Sequence, residues 1–380
     1  MSTRSTRPDG RVEAVDGLKA LAMQFILLHH LAVYGPLSDA AHTLLPALTD
    51  WFYTYGRMAV QVFLVAGGFL AARSFAWEPA SGGPSAAGRL VAMAVKRYLR
   101  LILPYLAAVL LAVICAAYAR RWMVDEDFVP AAPTLAQLMA HGLLLQSLLD
   151  YEALSAGVWY VAIDFQLFVL FAMLVWASGL IRVPGRIHPA VFLVALATFA
   201  SMFHFNRVSD YDDWALYFFG AYGLGVLTQW AIAGRPGARA ALGIAFAAIP
   251  LALAIDFRWR TVIAFATALV LLAAVEMPQA WRWCRARLVG HLGQTSYSLF
   301  LVQFPVCLLA NALARRHGLL DGPDGALHAL YVLIATWAAS LGAATLFHRW
   351  IEQPANRLRL FWQSAPEPQR QRHVESFNSA

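Results

Sequence analysis

Apolar runs of about 17–25 residues recur along this 380-residue chain, separated by short polar breaks. Each run is long enough to cross a hydrocarbon layer about 30 Å thick as a helix. The pattern predicts ten spans, over residues 17–35, 58–75, 101–118, 158–181, 189–205, 215–233, 240–255, 262–277, 297–313 and 327–347. One further run, 135–149, is interrupted by Gln137, His141 and Gln146. It is short for a span and reads as an interfacial or re-entrant helix. A Pro/Gly/Ser-rich connection covers 78–88, and the tail beyond Gln363 is polar and proline-bearing, which predicts disorder. The expected organisation is a basic tail over 1–16, a membrane domain over 17–354 and a polar tail over 355–380.

Composition agrees with the pattern. Hydrophobic residues make up 60% of the chain and charged ones 13%, with a mean hydropathy of +0.57, which excludes an ordinary soluble domain. The net charge of +7 does not point to nucleic acid, because the basic residues are scattered among connections. Their distribution reads as topology instead. In the ten-span arrangement, 21 of the 29 Lys and Arg residues fall on the side of the two termini. The other side holds eight, namely Arg57, Arg120, Arg121, Arg207, Arg258, Arg260, Arg315 and Arg316. Both termini are therefore expected in the cytoplasm. Treating 135–149 as a full span would bring Arg182, Arg186, Arg235 and Arg239 outside, against that rule. The expected fold is an all-α polytopic membrane protein of about ten helices. Cys115, Cys284 and Cys307 are odd in number and carry no disulfide or metal spacing, so no metal is expected. No cleavage pattern of a signal peptide clearly follows the first apolar run.

Candidate chemistry concentrates in that first run. Lys19 sits just inside it, and His29 and His30 sit deep within it. Ionisable groups in hydrocarbon cost several kcal/mol unless paired or placed in a wet cavity, so they mark a functional site. Lys19 and His30 are eleven residues apart, close to three helical turns, which places them on one face about 16 Å apart. One groove lined by both is the expectation. His29 points about 100° away and reads as packing or support.

The stretch from Arg11 to His30 resembles the opening of the acyltransferase-3 family of multi-pass membrane acyltransferases, R-x-x-x-x-D-G-L-R-A-L-A followed by a histidine. Arg11, Asp16, Gly17, Leu18, Ala20, Leu21, Ala22 and His30 match, and Lys19 replaces the second arginine. That keeps the charge and loses the bidentate fork. Val60 to Leu70 resembles the family's block ending S-G-F-L, with Gly67 in place of the serine; packing through small residues is the other reading. Arg97, Arg100 and Tyr105 resemble R-x-x-R-x-x-P-x-Y, with the proline one place late at Pro104. Two arginines at i,i+3 suit a phosphate-bearing ligand, and topology charge is the alternative. Trp159, Tyr160, Asp164 and Gln166 resemble W-S-L-x-x-E-x-Q, with Tyr160 and Asp164 on one helix face. The Asp164 carboxylate needs a partner, either a histidine on another span or an arginine in a structural ion pair. Leu292 to Gln303 resembles L-G-x-x-S-Y-x-x-Y-L-x-H, with Gln303 replacing a histidine and so unable to transfer a proton near neutral pH. Glu352 and Pro354 resemble the terminal E-x-P.

The resemblance implies an O-acyltransferase of a bacterial inner membrane with acyl-coenzyme A, acetyl-coenzyme A first, as donor. The expected acceptor is a hydroxyl of a cell-envelope or exported carbohydrate; a small secondary metabolite is the alternative. His30 is expected as catalytic base with Asp164 orienting it. Arg11, Lys19, Arg97 and Arg100 are expected at the donor phosphates, and His29, Trp159, Tyr160, Gln166 and Gln303 around the acceptor. Two further readings stay open: a transporter or flippase, since buried ionisable residues are also a transporter signature, and an inactive relative. The polar, aromatic stretch 207–214 reads either as a carbohydrate-binding loop or as an interfacial belt.

Overall fold

A computed structural model describes residues 13–74, 86–123, 127–181 and 187–357. Arg11, the connection over 75–85, Arg182, Arg186 and most of the C-terminal tail lie outside the described residues. The described residues form an all-helical bundle with no strand. Its helices are α1 (Glu13–Val33), α2 (Pro36–His42), α3 (Pro46–Tyr55), α4 (Val60–Ser74), α5 (Ala86–Ala119), α6 (Leu135–Gly142) and α7 (Val158–Ala177). They continue with α8 (Pro189–Phe203), α9 (Ala215–Ile232), α10 (Ala238–Ile255), α11 (Trp259–Glu276), α12 (Arg287–Arg316) and α13 (Gly325–Phe347). Nine segments among the described residues are long and apolar enough to cross a membrane, and ten if α1 and α2, bent by 90°, count as one. The ten coincide in order with the ten predicted runs. An even number of crossings leaves Glu13 and Arg357 on one face, called inner below.

Helix ends differ from the hydropathy boundaries for a physical reason. The third apolar run begins at 101, yet α5 starts at Ala86 and extends for 34 residues, about 51 Å. Arg89, Lys96, Arg97 and Arg100 are good helix formers whose charge hides the helix from an apolar count. The second span likewise starts early, because α3 runs into α4 through a single 3₁₀ turn, Gly56–Ala59. The run 135–149 yields only the eight-residue α6 followed by turns.

The bend between α1 and α2 is a broken span with its backbone groups accounted for. Gly35 adopts φ 93°, and a Cβ there would lie 2.5 Å from Asn311 Oδ1. The fully buried Asn311 reaches across from α12 to accept from the Leu37 N–H at 3.0 Å and to donate to the Tyr34 carbonyl at 3.3 Å. Peptide groups freed in a membrane interior need such partners, each orphan costing several kcal/mol.

Two close crossings hold the bundle. A Cβ on Gly68 of α4 would meet the Tyr222 carbonyl at 1.9 Å, and one on Gly225 of α9 would meet the Val65 carbonyl at 1.9 Å. On the inner side, a Cβ on Gly17 would lie 2.4 Å from Cys284 Sγ, and one on Gly293 would lie 2.5 Å from the Asp16 carbonyl. Apolar burial does little between helices in lipid, so packing of this closeness supplies the association. Helix α9 is central: Trp230, Tyr222 and Phe219 are fully buried on it.

Candidate active site

Two cavities enter the bundle from opposite faces. The inner one, about 400 Å³, is lined by Asp16 and Lys19 of α1, Gly67 of α4, Arg97 and Arg100 of α5, and Tyr160 and Asp164 of α7, with Tyr297 and Glu352 also on its wall. The outer one, about 620 Å³, takes His29 and His30 from α1, Tyr34 from just past its end, and Trp159 and Ile163 from α7. Phe300 of α12 lines both. Its ring meets that of Tyr160 edge-on at 5.3 Å. Gly157, at φ 90°, leaves room for it, since a Cβ there would be 3.0 Å from Phe300 Cζ. The expected single groove is thus two chambers with a thin aromatic wall: Lys19 faces one and His30 the other.

In the inner cavity Arg97 Nη2 donates to Asp164 Oδ2 at 2.5 Å, and the guanidinium lies 5.3 Å from the Phe168 ring centroid. The expected His30–Asp164 contact is therefore not formed. Tyr160 and Asp164 do share one face of α7, but that face looks onto α5, whose arginine is the nearest strong cation. A buried carboxylate takes that partner because an unpaired charge in low dielectric is costly. Arg97 is in part committed to this pair, whereas Arg100 and Lys19 bring further positive charge to the same cavity. Lys19 Nζ lies 3.9 Å from Asp16 Oδ1. Glu352 closes the inner end: its Oε2 accepts from Ser298 Oγ at 2.5 Å and lies 2.8 Å from His348 Nδ1. The terminal E-x-P resemblance is thereby a structural tie between the chain's end and α12.

Gly67 and Gly68, adjacent in sequence, serve different purposes. Gly68 is the close crossing with α9. A Cβ on Gly67 would make only ordinary contacts, 3.5 Å from the Tyr222 ring and 3.6 Å from Asp164 Oδ1. The packing reading of this block fits Gly68, while Gly67 lines the inner cavity.

In the outer chamber His30 is 8% exposed, and its Nδ1 has no hydrogen-bond partner among the described residues. The ring sits 5.4 Å from Tyr34 and 5.5 Å from His29. His29 Nδ1 is 3.0 Å from the Phe52 carbonyl, tying α1 to α3. Trp159 lines the chamber beside Phe218, their rings 5.7 Å apart. Gln166 lines neither cavity: its Oε1 accepts from the Ala215 N–H at 3.2 Å, holding α7 to the start of α9. Gln303 is fully buried on α12, also outside both linings, with its amide unpartnered among the described residues.

The wall of the outer chamber continues into the segment after α6. His141 is fully buried; its Nε2 accepts from the Leu154 N–H at 3.1 Å, so Nδ1 carries the proton and donates to the Gln137 carbonyl at 2.8 Å. Burial holds this imidazole below its ordinary value, and the Gln137 bond opposes the shift. Through Leu154 it fixes the stretch carrying Ser155, Ala156 and Gly157, all on the chamber wall. Sequence reasoning also missed Tyr217 and Phe218 of α9 and Arg260 of α11 as chamber residues. They come from two helices whose apolar runs carry no mark of a site.

A family model for an acyltransferase domain, acyltransferase-3, matches residues 12–348. No curated protein and no solved structure matches the chain. Nearly the whole chain is covered, including the outer cavity, Phe300 and all of the inner lining except Glu352 and Asn356, so the chain belongs to the acyltransferase-3 family of membrane acyltransferases.

Proposed function

We propose that this acyltransferase moves an acetyl group from acetyl-coenzyme A, bound from a cytoplasmic inner face, to a hydroxyl of an exported carbohydrate in the outer chamber. The bacterial inner membrane is the setting this reading implies. The observation that carries it is His30: a buried imidazole with a nitrogen unpartnered among the described residues, lining one chamber that shares Phe300 with a second, cationic one.

The residues present fit the donor. Lys19 and Arg100 offer charge to phosphate oxygens, with Arg97 oriented beside them by Asp164. A cavity of about 400 Å³ takes the pantetheine arm and leaves the nucleotide end at the mouth. The arm points the thioester at the Phe300 wall. His30 takes the proton of the acceptor hydroxyl, the oxygen bonds to the acyl carbon, and the tetrahedral intermediate collapses with loss of sulfur. The proton then passes from His30 to the leaving thiolate, so the imidazole returns neutral. Arg11 belongs to the donor site in this reading and lies outside the described residues. Asp164 acts through Arg97, as a positioning residue of the donor cavity.

Thiol release from acetyl-coenzyme A by purified protein, with and without hydroxyl acceptors, tests the reading. His30→Ala should reduce acceptor-dependent release by about 10²–10⁴-fold while donor binding stays near normal. A comparable loss in His29→Ala would remove His30 from the chemistry.

A further inference from the structure

The rim of the outer chamber is acidic. Asp127, Glu152, Asp212 and Asp213 all line it and come from three separate connections, those joining α5 to α6, α6 to α7 and α8 to α9. Two cations line the same chamber, Arg57 and Arg260. The Arg260 guanidinium is already occupied, donating to the Tyr217 hydroxyl and lying 5.2 Å from that ring's centroid. None of the four carboxylates forms an ion pair among the described residues. Partial desolvation at the mouth, and then repulsion from Asp212 and Asp150, holds the carboxyl of Asp213 above its ordinary value.

Membrane topology does not account for this excess. The positive-inside bias concerns Lys and Arg, and Asp and Glu contribute little to it. Yet in the ten-span arrangement the outer connections hold 13 of the 22 acidic residues against eight basic ones, in a chain of net charge +7. Nearby charge therefore does not cancel the field at the mouth, and a cleft lined by one sign focuses that field. Nor do the acids form a metal site: among the described residues no three His, Cys, Asp or Glu side chains converge on one point.

A second, independent observation points into the chamber. In the same lining, His30 Nδ1 and Ser155 Oγ are unpartnered among the described residues, and the two residues are 8% and 1% exposed. The rings of Trp159, Phe218 and Tyr34 line the chamber too. Aromatic faces attract cations, most strongly where water is excluded. The chamber lining thus combines exposed carboxylates, aromatic faces and buried hydrogen-bonding groups beside a base.

We propose that the acceptor is a cationic alcohol, an amino sugar or another hydroxyl compound carrying an alkylammonium group, whose positive end is held at the acidic rim while its hydroxyl reaches His30. This rests on reading the outer chamber as the acceptor side. The same rim repels uronic acids and other anionic glycans, so it selects against them as well as for its ligand.

The test uses three methyl hexosides that differ at one carbon, bearing a trimethylammonium, a hydroxyl or a carboxylate. The quaternary nitrogen cannot be acylated, so any transfer reports the hydroxyl. Calorimetry on the full-length protein in lipid nanodiscs should rank binding as cation, then neutral, then anion, with about tenfold or more between the extremes. The exposed pair Asp212→Asn/Asp213→Asn should shrink that spread, and so should raised salt. Equal binding of the neutral and cationic probes, tightest binding of the carboxylate, or no binding of any probe would overturn the proposal. Acetyl-coenzyme A affinity of the same preparation reports the inner cavity separately. Donor binding without the charge preference sinks only the acceptor class; charge preference without donor binding sinks the acyl-transfer reading.

Discussion

The inner and outer cavities hold different kinds of polar group, and in the proposed function that difference would separate binding from chemistry. Inside, charges are met by charges: Arg97 by Asp164 and Lys19 by Asp16, with Glu352 tied down by Ser298. Outside, the groups that matter have no hydrogen-bond or ion-pair partner among the described residues: His30 Nδ1, Ser155 Oγ and four rim carboxylates. A site that holds a donor through phosphates needs rigid cations, and paired arginine is rigid. A site that must exchange a proton needs a nitrogen that nothing else has claimed.

Breaking the inner pair is the severest change after loss of His30. Asp164→Asn leaves the Arg97 guanidinium without its carboxylate, and removing one member of a buried pair costs on the order of 3–5 kcal/mol. Arg97→Met/Asp164→Leu should cost less than the sum of the two single changes. Thermal unfolding in detergent checks both. A normally stable Asp164→Asn with dead chemistry would instead put Asp164 in the reaction.

Removing inner charge outside the Arg97–Asp164 pair should act on donor affinity more than on the chemical step. Arg100→Ala is expected to weaken acetyl-coenzyme A binding by about 1.5–3 kcal/mol, tenfold or more, seen in KM rather than kcat. Lys19→Arg restores the fork and should bind at least as well as the natural chain. Donor titration of both variants decides whether the inner cavity is a binding site at all.

The smallest expected effect lies in the outer wall and depends on pH. His141 is neutral in the fold, its proton affinity lowered by burial from an ordinary value near 6.5. The unfolded chain therefore binds the extra proton first. The stabilisation is present in full above about pH 6.5 and is lost as pH falls below it. His141→Gln can both donate to Gln137 and accept from Leu154, so its melting temperature should be flatter through that window. Parallel pH profiles for the two proteins would show that the segment after α6 is fixed by something else.

Hydropathy alone made the ten spans legible, because a helix in lipid must be apolar along its whole length. The inner extension of α5 was not, since its arginines look like a connection until their helical spacing is considered. Of the site, His30 and Lys19 stood out because ionisable groups are conspicuous in an apolar run. Their separation into two chambers did not, because a shared helix face says nothing of what stands between. Phe300 is such an obstacle, and a phenylalanine in a transmembrane helix carries no signal. Asp164 was legible as a residue needing a partner, and its partner depended on which helix α7 faces.

The Phe300 wall also has an electrical meaning. Two vestibules that open to opposite faces and share the Phe300 ring shorten the low-dielectric path, so more of the transmembrane voltage falls across the septum between them. A full charge crossing that layer gains or loses about 2.3 kcal/mol per 100 mV. A neutral acetyl group crosses without that cost, while a proton released outward and a thiolate left inside would not. Transfer in proteoliposomes should therefore be indifferent to an imposed potential if the His30 proton returns to the sulfur, and steeply dependent on it if the proton leaves through the outer mouth.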